Sequence, residues 1–153
     1  MYNHQPEGYV CPFCGFVAGE TTKFNNVNDW VYRSDDVSAF IAPGTWPNNR
    51  GHVIVIPNKH YENIYDISET ALAEVYKVVK TIAIAIRSTY DCDGITIRQH
   101  NEPAGDQDLW HFHVHVFPRY VGDELHHTGR IFIDAEERAP YAKKLRDYLK
   151  TAP

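Results

Sequence analysis

His111-Phe112-His113-Val114-His115-Val116-Phe117 is the stretch whose reading decides the fold. Its histidines recur every second residue, the period of a β-strand. His111, His113 and His115 therefore share one face, roughly 6.5–7 Å apart along the chain. Phe112, Val114, Val116 and Phe117 supply the apolar side of a half-buried sheet. Imidazole is the side chain that titrates near neutral pH, so three on one rigid strand suit acid–base and nucleophilic chemistry. The same three rings also suit metal ligation.

Outward from this strand, residues 52–56 are a short apolar run ending at Pro57, which reads as a strand buried on both faces. Ser68 opens a helix in which Leu72, Val75, Tyr76, Val79, Ile82, Ala83 and Ile86 recur at helical spacing, ending near Tyr90 before Asp93-Gly94. Ile95 to Arg98 form a further strand. Residues 101–108 are a polar loop with Pro103 and Gly105. Upstream, Val31-Tyr32-Arg33 and Val37 to Ile41 flank Ser34-Asp35-Asp36 as a hairpin. Residues 43–49 are rich in turn formers. A weaker helix is expected over 136–149 through Tyr141, Leu145 and Leu149. The class is α+β with a mainly antiparallel sheet of four or five strands, one long helix and a shorter C-terminal helix.

Composition sets the bounds. At 153 residues with 43% hydrophobic content, the chain suits one domain with its own core. Net charge is −5, which argues against a general nucleic-acid binder. No stretch of about 18 apolar residues exists, so no membrane span is expected. The first seven residues lack an apolar signal region. Three cysteines, two of them in Cys11-Pro12-Phe13-Cys14, are no disulfide framework, and a reducing cytoplasm is the expected compartment. Taken alone, that CxxC reads either as a redox pair or as half of a zinc site.

His111 to Phe117 followed by Pro118-Arg119-Tyr120, together with Gly51-His52-Val53-Ile54-Val55-Ile56-Pro57-Asn58-Lys59-His60, resembles the histidine-triad (HIT) superfamily of nucleotide hydrolases and transferases. The order of elements matches as well. The resemblance covers about residues 10–121 and divides the chain into a loose segment 1–9, the HIT domain and a C-terminal extension 122–153. It implies a five-stranded HIT-like fold and a homodimer. It implies as substrate a dinucleoside polyphosphate, a nucleoside phosphoramidate or a related mononucleotide, usually of a purine, cleaved at its α-phosphate by hydrolysis or transfer through a covalent nucleotidyl-histidine. His113 would be the nucleophile, His115 a proton donor, and His52 a third catalytic histidine that orients groups around the phosphate. The alternative is a nucleotide-binding regulatory dimer with weak catalysis.

Asn101 and Gln107 match amides that contact the ribose or phosphate, though either also suits a loop cap. Phe40 and Ile41 match the apolar wall of the base pocket. Relatives of the bacterial type with an N-terminal CxxC use four zinc ligands, here Cys11, Cys14, His60 and His111. That closed set makes the metal structural. Three departures stand out. Ala42 replaces an Asp that bonds the ribose hydroxyls, and Asn48 or Asn49 in a longer loop can supply the lost contact. That loop, 43–50, is longer than in compact members. Asp108 replaces a small hydroxyl residue at the phosphate, and is expected to bond a histidine or a backbone N–H instead.

Overall fold

A computed structural model describes residues 2–152. The elements are α1 (Pro12–Val17), β1 (Trp30–Arg33), β2 (Val37–Ile41), β3 (Gly44–Thr45), β4 (Val53–Pro57), α2 (Glu69–Thr89), β5 (Gly94–Gln99), β6 (Val114–Arg119), β7 (Ile131–Phe132) and α3 (Ala135–Thr151). Five strands form one antiparallel sheet in the order β1-β2-β4-β6-β5. A separate two-stranded ribbon pairs β3 with β7.

Strand alternation sorts the side chains. Val37, Ala39 and Ile41 of β2, Val53 and Val55 of β4, and Val114 and Val116 of β6 face α2 and form the main core. The opposite face carries Phe40, Ile54 and Ile56, packed with Phe13 and Phe16 of α1 and with Trp30. Both faces of β4 are therefore covered, as its unbroken apolar run requires.

Helix α2 is fixed at its start by Ser68, whose side chain accepts from the Ala71 N–H. Val75, Val79, Ile82 and Ile86 turn inwards at intervals of three and four. Helix α3 begins at Asp134, whose carboxylate caps the Glu137 N–H at 2.9 Å. Arg138, fully buried on α3, reaches Asp29 through two hydrogen bonds of 2.9 and 2.8 Å. The C-terminal segment thus belongs to the body of the fold. Gly51, just before β4, has φ +79°, and a Cβ there would lie 2.5 Å from a ring carbon of Tyr141. Only glycine meets both demands.

Strand β6 starts at Val114, later than the alternation of the sequence predicts. Its pairing with β4 stops at Val55↔Val114. Beyond that point Pro57 has no N–H to donate, and the Phe112 N–H instead bonds the Tyr61 carbonyl at 2.6 Å. Phe117 is corrected too. It stacks on His52 and His115, on the histidine face, because its parity with His115 requires it. The segment 1–9, expected to be loose, is exposed over residues 2–8 but tied down there: Gln5 accepts from His60 at 2.8 Å, and Asn3 bonds Asp66 at 3.1 Å.

Candidate functional site: a histidine-lined cavity beside a Cys/His cluster

A cavity of about 520 Å³ opens on the sheet face that carries the histidines. Phe13, Phe16, Phe40, Ile54 and Leu109 form its apolar wall, with Ala42 beside them. His52, His113 and His115 line one side of it. His113 is 3% exposed, and its Nδ1 lies 2.7 Å from the His111 carbonyl oxygen. A carbonyl can only accept, so Nδ1 carries the proton. Nε2 keeps its lone pair, the form a nucleophile needs.

His52 Nε2 and His115 Nδ1 lie 3.2 Å apart. His52 Nδ1 is buried with no partner. An unpaired N–H is costly to bury, so the proton of His52 sits on Nε2 and is donated to His115 Nδ1. His115 then holds its own proton on Nε2 and is a ready donor. Burial holds all three rings neutral. Burial, then the Arg130 and His113 charges, lower His52 to about 3. Burial also lowers His115 well below the usual range and depresses His113, partly offset at His113 by its bond to the His111 carbonyl.

A second constellation lies at the other end of the same segment. The ligand atoms of Cys11, Cys14, His60 and His111 all lie within 4.8 Å of one another. Cys11 Sγ is 3.2 Å from His111 Nδ1, and Cys14 Sγ is 3.3 Å from His60 Nδ1. A tetrahedral zinc with ordinary bond lengths has S···N edges of about 3.5 Å. Each histidine uses its other nitrogen elsewhere, His111 Nε2 on the Pro57 carbonyl at 2.9 Å and His60 Nε2 on Gln5. Such outer partners orient metal-binding imidazoles. Burial and the neighbouring Cys11 push the Cys14 thiol up to about 12. Two thiolates here need a cation, so the donor set fits a metal.

The remaining sequence-predicted residues are placed differently. Ile41 points into the main core, since consecutive strand residues face opposite ways. Gln107 is buried, donating to the Glu62 and Leu109 carbonyls at 2.7 and 3.0 Å and accepting from the Glu102 N–H. Asn101 exchanges hydrogen bonds with Gln99 and accepts from the Ile64 N–H at 2.8 Å. Asn49 is buried, donating to Asp123 at 2.6 Å and to the Pro118 carbonyl. Asn48 donates to the Asp123 carbonyl at 3.1 Å. None of these lines the cavity. Asp108 does, but its partner is Arg130 at 2.8 Å rather than a histidine or a backbone N–H. Cavity residues missed from the sequence include Phe13, Phe16, Ile54 and Leu109 of the apolar wall, and Lys23, Phe24, Trp46, Arg130 and Phe132. The last five come from loops or from the two-residue strand β7, too short to show a period, and only the exposed rings of Phe24 and Phe132 mark them out.

The HIT domain family model matches residues 23–122. The chain belongs to the HIT family. Its fold matches that of a Hit-like protein involved in cell-cycle regulation from Bartonella henselae, with TM-score 0.78 and 36% identity, covering 88% of this chain and 93% of that one. A zinc-bound histidine triad family protein from Mycobacterium smegmatis has TM-score 0.75 and 28% identity, with 92% and 93% covered. A hypothetical histidine triad nucleotide-binding protein from Sulfolobus tokodaii has TM-score 0.75 and 25% identity, with 92% of each chain covered. Among the described residues, no helix is long and apolar enough to cross a membrane.

Proposed function

We propose that the protein hydrolyses or transfers a nucleotidyl group, cleaving at the α-phosphate of a purine nucleotide derivative through a covalent bond to His113. The observation that carries this is the His113 Nδ1 contact with the His111 carbonyl, which leaves Nε2 bare at the cavity wall. His113 Nε2 attacks phosphorus, forming a P–N bond as the bond to the leaving group breaks. His115 Nε2–H donates a hydrogen bond to the leaving oxygen, which departs with the bonding electron pair as an anion, and His52 Nε2–H keeps the ring of His115 oriented. The modified imidazole is cationic, and its Nδ1–H still donates to the His111 carbonyl. Water then attacks phosphorus as the P–N bond breaks, its released proton passes to solvent, and the nucleotide leaves with His113 neutral again. A neutral His113 at pH 7 suits the attack on phosphorus, and neutral His52 and His115 keep their hydrogen bonds through both halves of the cycle. The apolar wall around Phe40 holds the base. Asn101, Gln107 and Asn49, whose amides are already engaged, act by holding the loops around the cavity.

The Cys/His cluster binds one zinc ion as a closed Cys₂His₂ site through Cys11, Cys14, His60 and His111. Its role is to clamp the N-terminal segment to the segment carrying the triad. We also read the molecule as a homodimer of a reducing cytoplasm. The outer edge of β5 and exposed Ile97, with Tyr76 and Ile84 of α2, offer an apolar face for a second copy. Static light scattering giving a monomer mass would remove the dimer.

The test of the reaction is single-turnover capture. Wild-type protein quenched during cleavage of a diadenosine polyphosphate should carry one added AMP unit by intact mass. The adduct should be absent from His113→Ala. Turnover without any adduct in rapid-quench samples, by a variant lacking His113, would end the covalent reading.

A further inference from the structure

Among the residues lining the cavity Asp108 is the one carboxylate, and it lies on the loop leading to His113. A carboxylate there repels an anionic substrate. Arg130 lies against it, with Nη1 2.8 Å from Asp108 Oδ2. It is placed there by a small, specific device. β7 pairs with β3 through Gly44↔Phe132 and Thr45↔Ile131, which brings segment 130–132 over the cavity. Gly44 leaves room for the arginine, since a Cβ there would lie 3.0 Å from Arg130 Cδ. The guanidinium also lies 5.5 Å from the ring centroid of Phe132, which helps fix its plane.

Both partners of the pair are about half exposed, at 50% and 46%. An ion pair so exposed is weak. Arginine presents five donors in a planar fork, so it can hold a carboxylate and a phosphate oxygen together, or trade one for the other.

We infer that Arg130, supplied by the segment beyond the triad, is a phosphate-binding and specificity-determining residue, and that Asp108 is its competitive partner. Bound phosphate draws the guanidinium away from Asp108. The pair sets a threshold that only a ligand carrying phosphate crosses, so bare nucleosides gain nothing from Arg130. This rests on the nucleotide reading of the same cavity.

The test is calorimetric binding of AMP and of adenosine to the wild type, Arg130→Gln, Asp108→Asn and the double variant. Arg130→Gln should weaken AMP by about tenfold, the loss of one charge-assisted contact, and leave adenosine within twofold. Asp108→Asn should tighten AMP severalfold, and that gain should vanish in the double variant. The salt dependence of AMP binding should flatten in Arg130→Gln. Melting temperature is the control for a purely structural staple. If Arg130→Gln weakens AMP and adenosine equally, or changes neither, the inference is overturned while the nucleotide reading stands. If the wild type binds neither ligand, both fall together.

Discussion

His111 and His113 sit two residues apart on one segment, yet they offer opposite ring nitrogens. His111 gives Nε2 to the Pro57 carbonyl and turns Nδ1 towards two thiols. His113 gives Nδ1 to the His111 carbonyl and turns Nε2 to the cavity. In both, a backbone carbonyl spends one nitrogen, and the choice of carbonyl decides which nitrogen is left. The surroundings then decide what the free nitrogen does. Cys11 and Cys14 complete a donor set around His111. His113 faces an apolar cavity with His115 beside it, the ring centroids 4.9 Å apart. Residue type says little here; the hydrogen bond behind the ring says most.

The largest effect that tests this contrast is His113→Ala. Loss of the nucleophile should lower turnover by at least about a thousandfold, or some 4 kcal/mol of barrier. AMP affinity should change only severalfold. A variant keeping a tenth of wild-type turnover would make the two histidines alike in being structural. The metal end should respond the other way. Cys11→Ser should lose the bound metal, seen by elemental analysis, and lower the melting temperature. Turnover per folded molecule should fall by less than about tenfold, as expected of outer support rather than reacting groups. Abrupt and complete loss of chemistry on chelation, with the fold intact, would move the reaction to the metal.

Acid titration sharpens the comparison further. His52 has a folded pKa near 3, below the ordinary value near 6.5, because burial disfavours its charged form. Below about pH 6.5 the unfolded chain therefore binds the extra proton. Stability contributed by the neutral ring is complete above that pH and is lost as pH falls towards 3. At pH 5 the loss from this one histidine is about 2 kcal/mol. Denaturant unfolding at pH 7 and pH 5 should show it, and His52→Asn should remove it. Cys11→Ser should leave it in place, because burial rather than a metal keeps His52 neutral.

The smallest effect concerns how far the reactive region extends. Asn101→Ala should cost about 1–2 kcal/mol of stability through the Ile64 N–H it leaves unpaired. It should shift AMP affinity by less than threefold. A large affinity loss with unchanged stability would return Asn101 to the binding site.

What the sequence made legible follows from locality. The period of α2, the apolar run of β4 and the helix start at Ser68 are set within a few residues, and such signals survive without tertiary knowledge. The four sulfur and nitrogen donors were legible because few other residue types serve a tetrahedral metal, and the resemblance paired them. Amides were harder. Asn101 and Gln107 each serve loops or ligands equally well, and only their neighbours decide. Ile41 was decidable in principle: Phe40 and Ile41 are consecutive on β2, so alternation allows only one on the cavity side. Arg130 was out of reach, because its place depends on the short β3–β7 ribbon that joins residues far apart in the chain.

Gly51 carries a consequence for the way this chain can drift. A methyl group at this position would collide with Tyr141 from α3 and with Tyr90 at the end of α2, while the left-handed backbone strains any larger residue. Three parts of the polypeptide meet there on one hydrogen atom. Substitutions that shrink either tyrosine would open space but still leave the left-handed strain in place. Inheritance can vary the walls of the cavity one residue at a time, but the entry to β4 is frozen. Directed libraries built on this scaffold should leave it untouched.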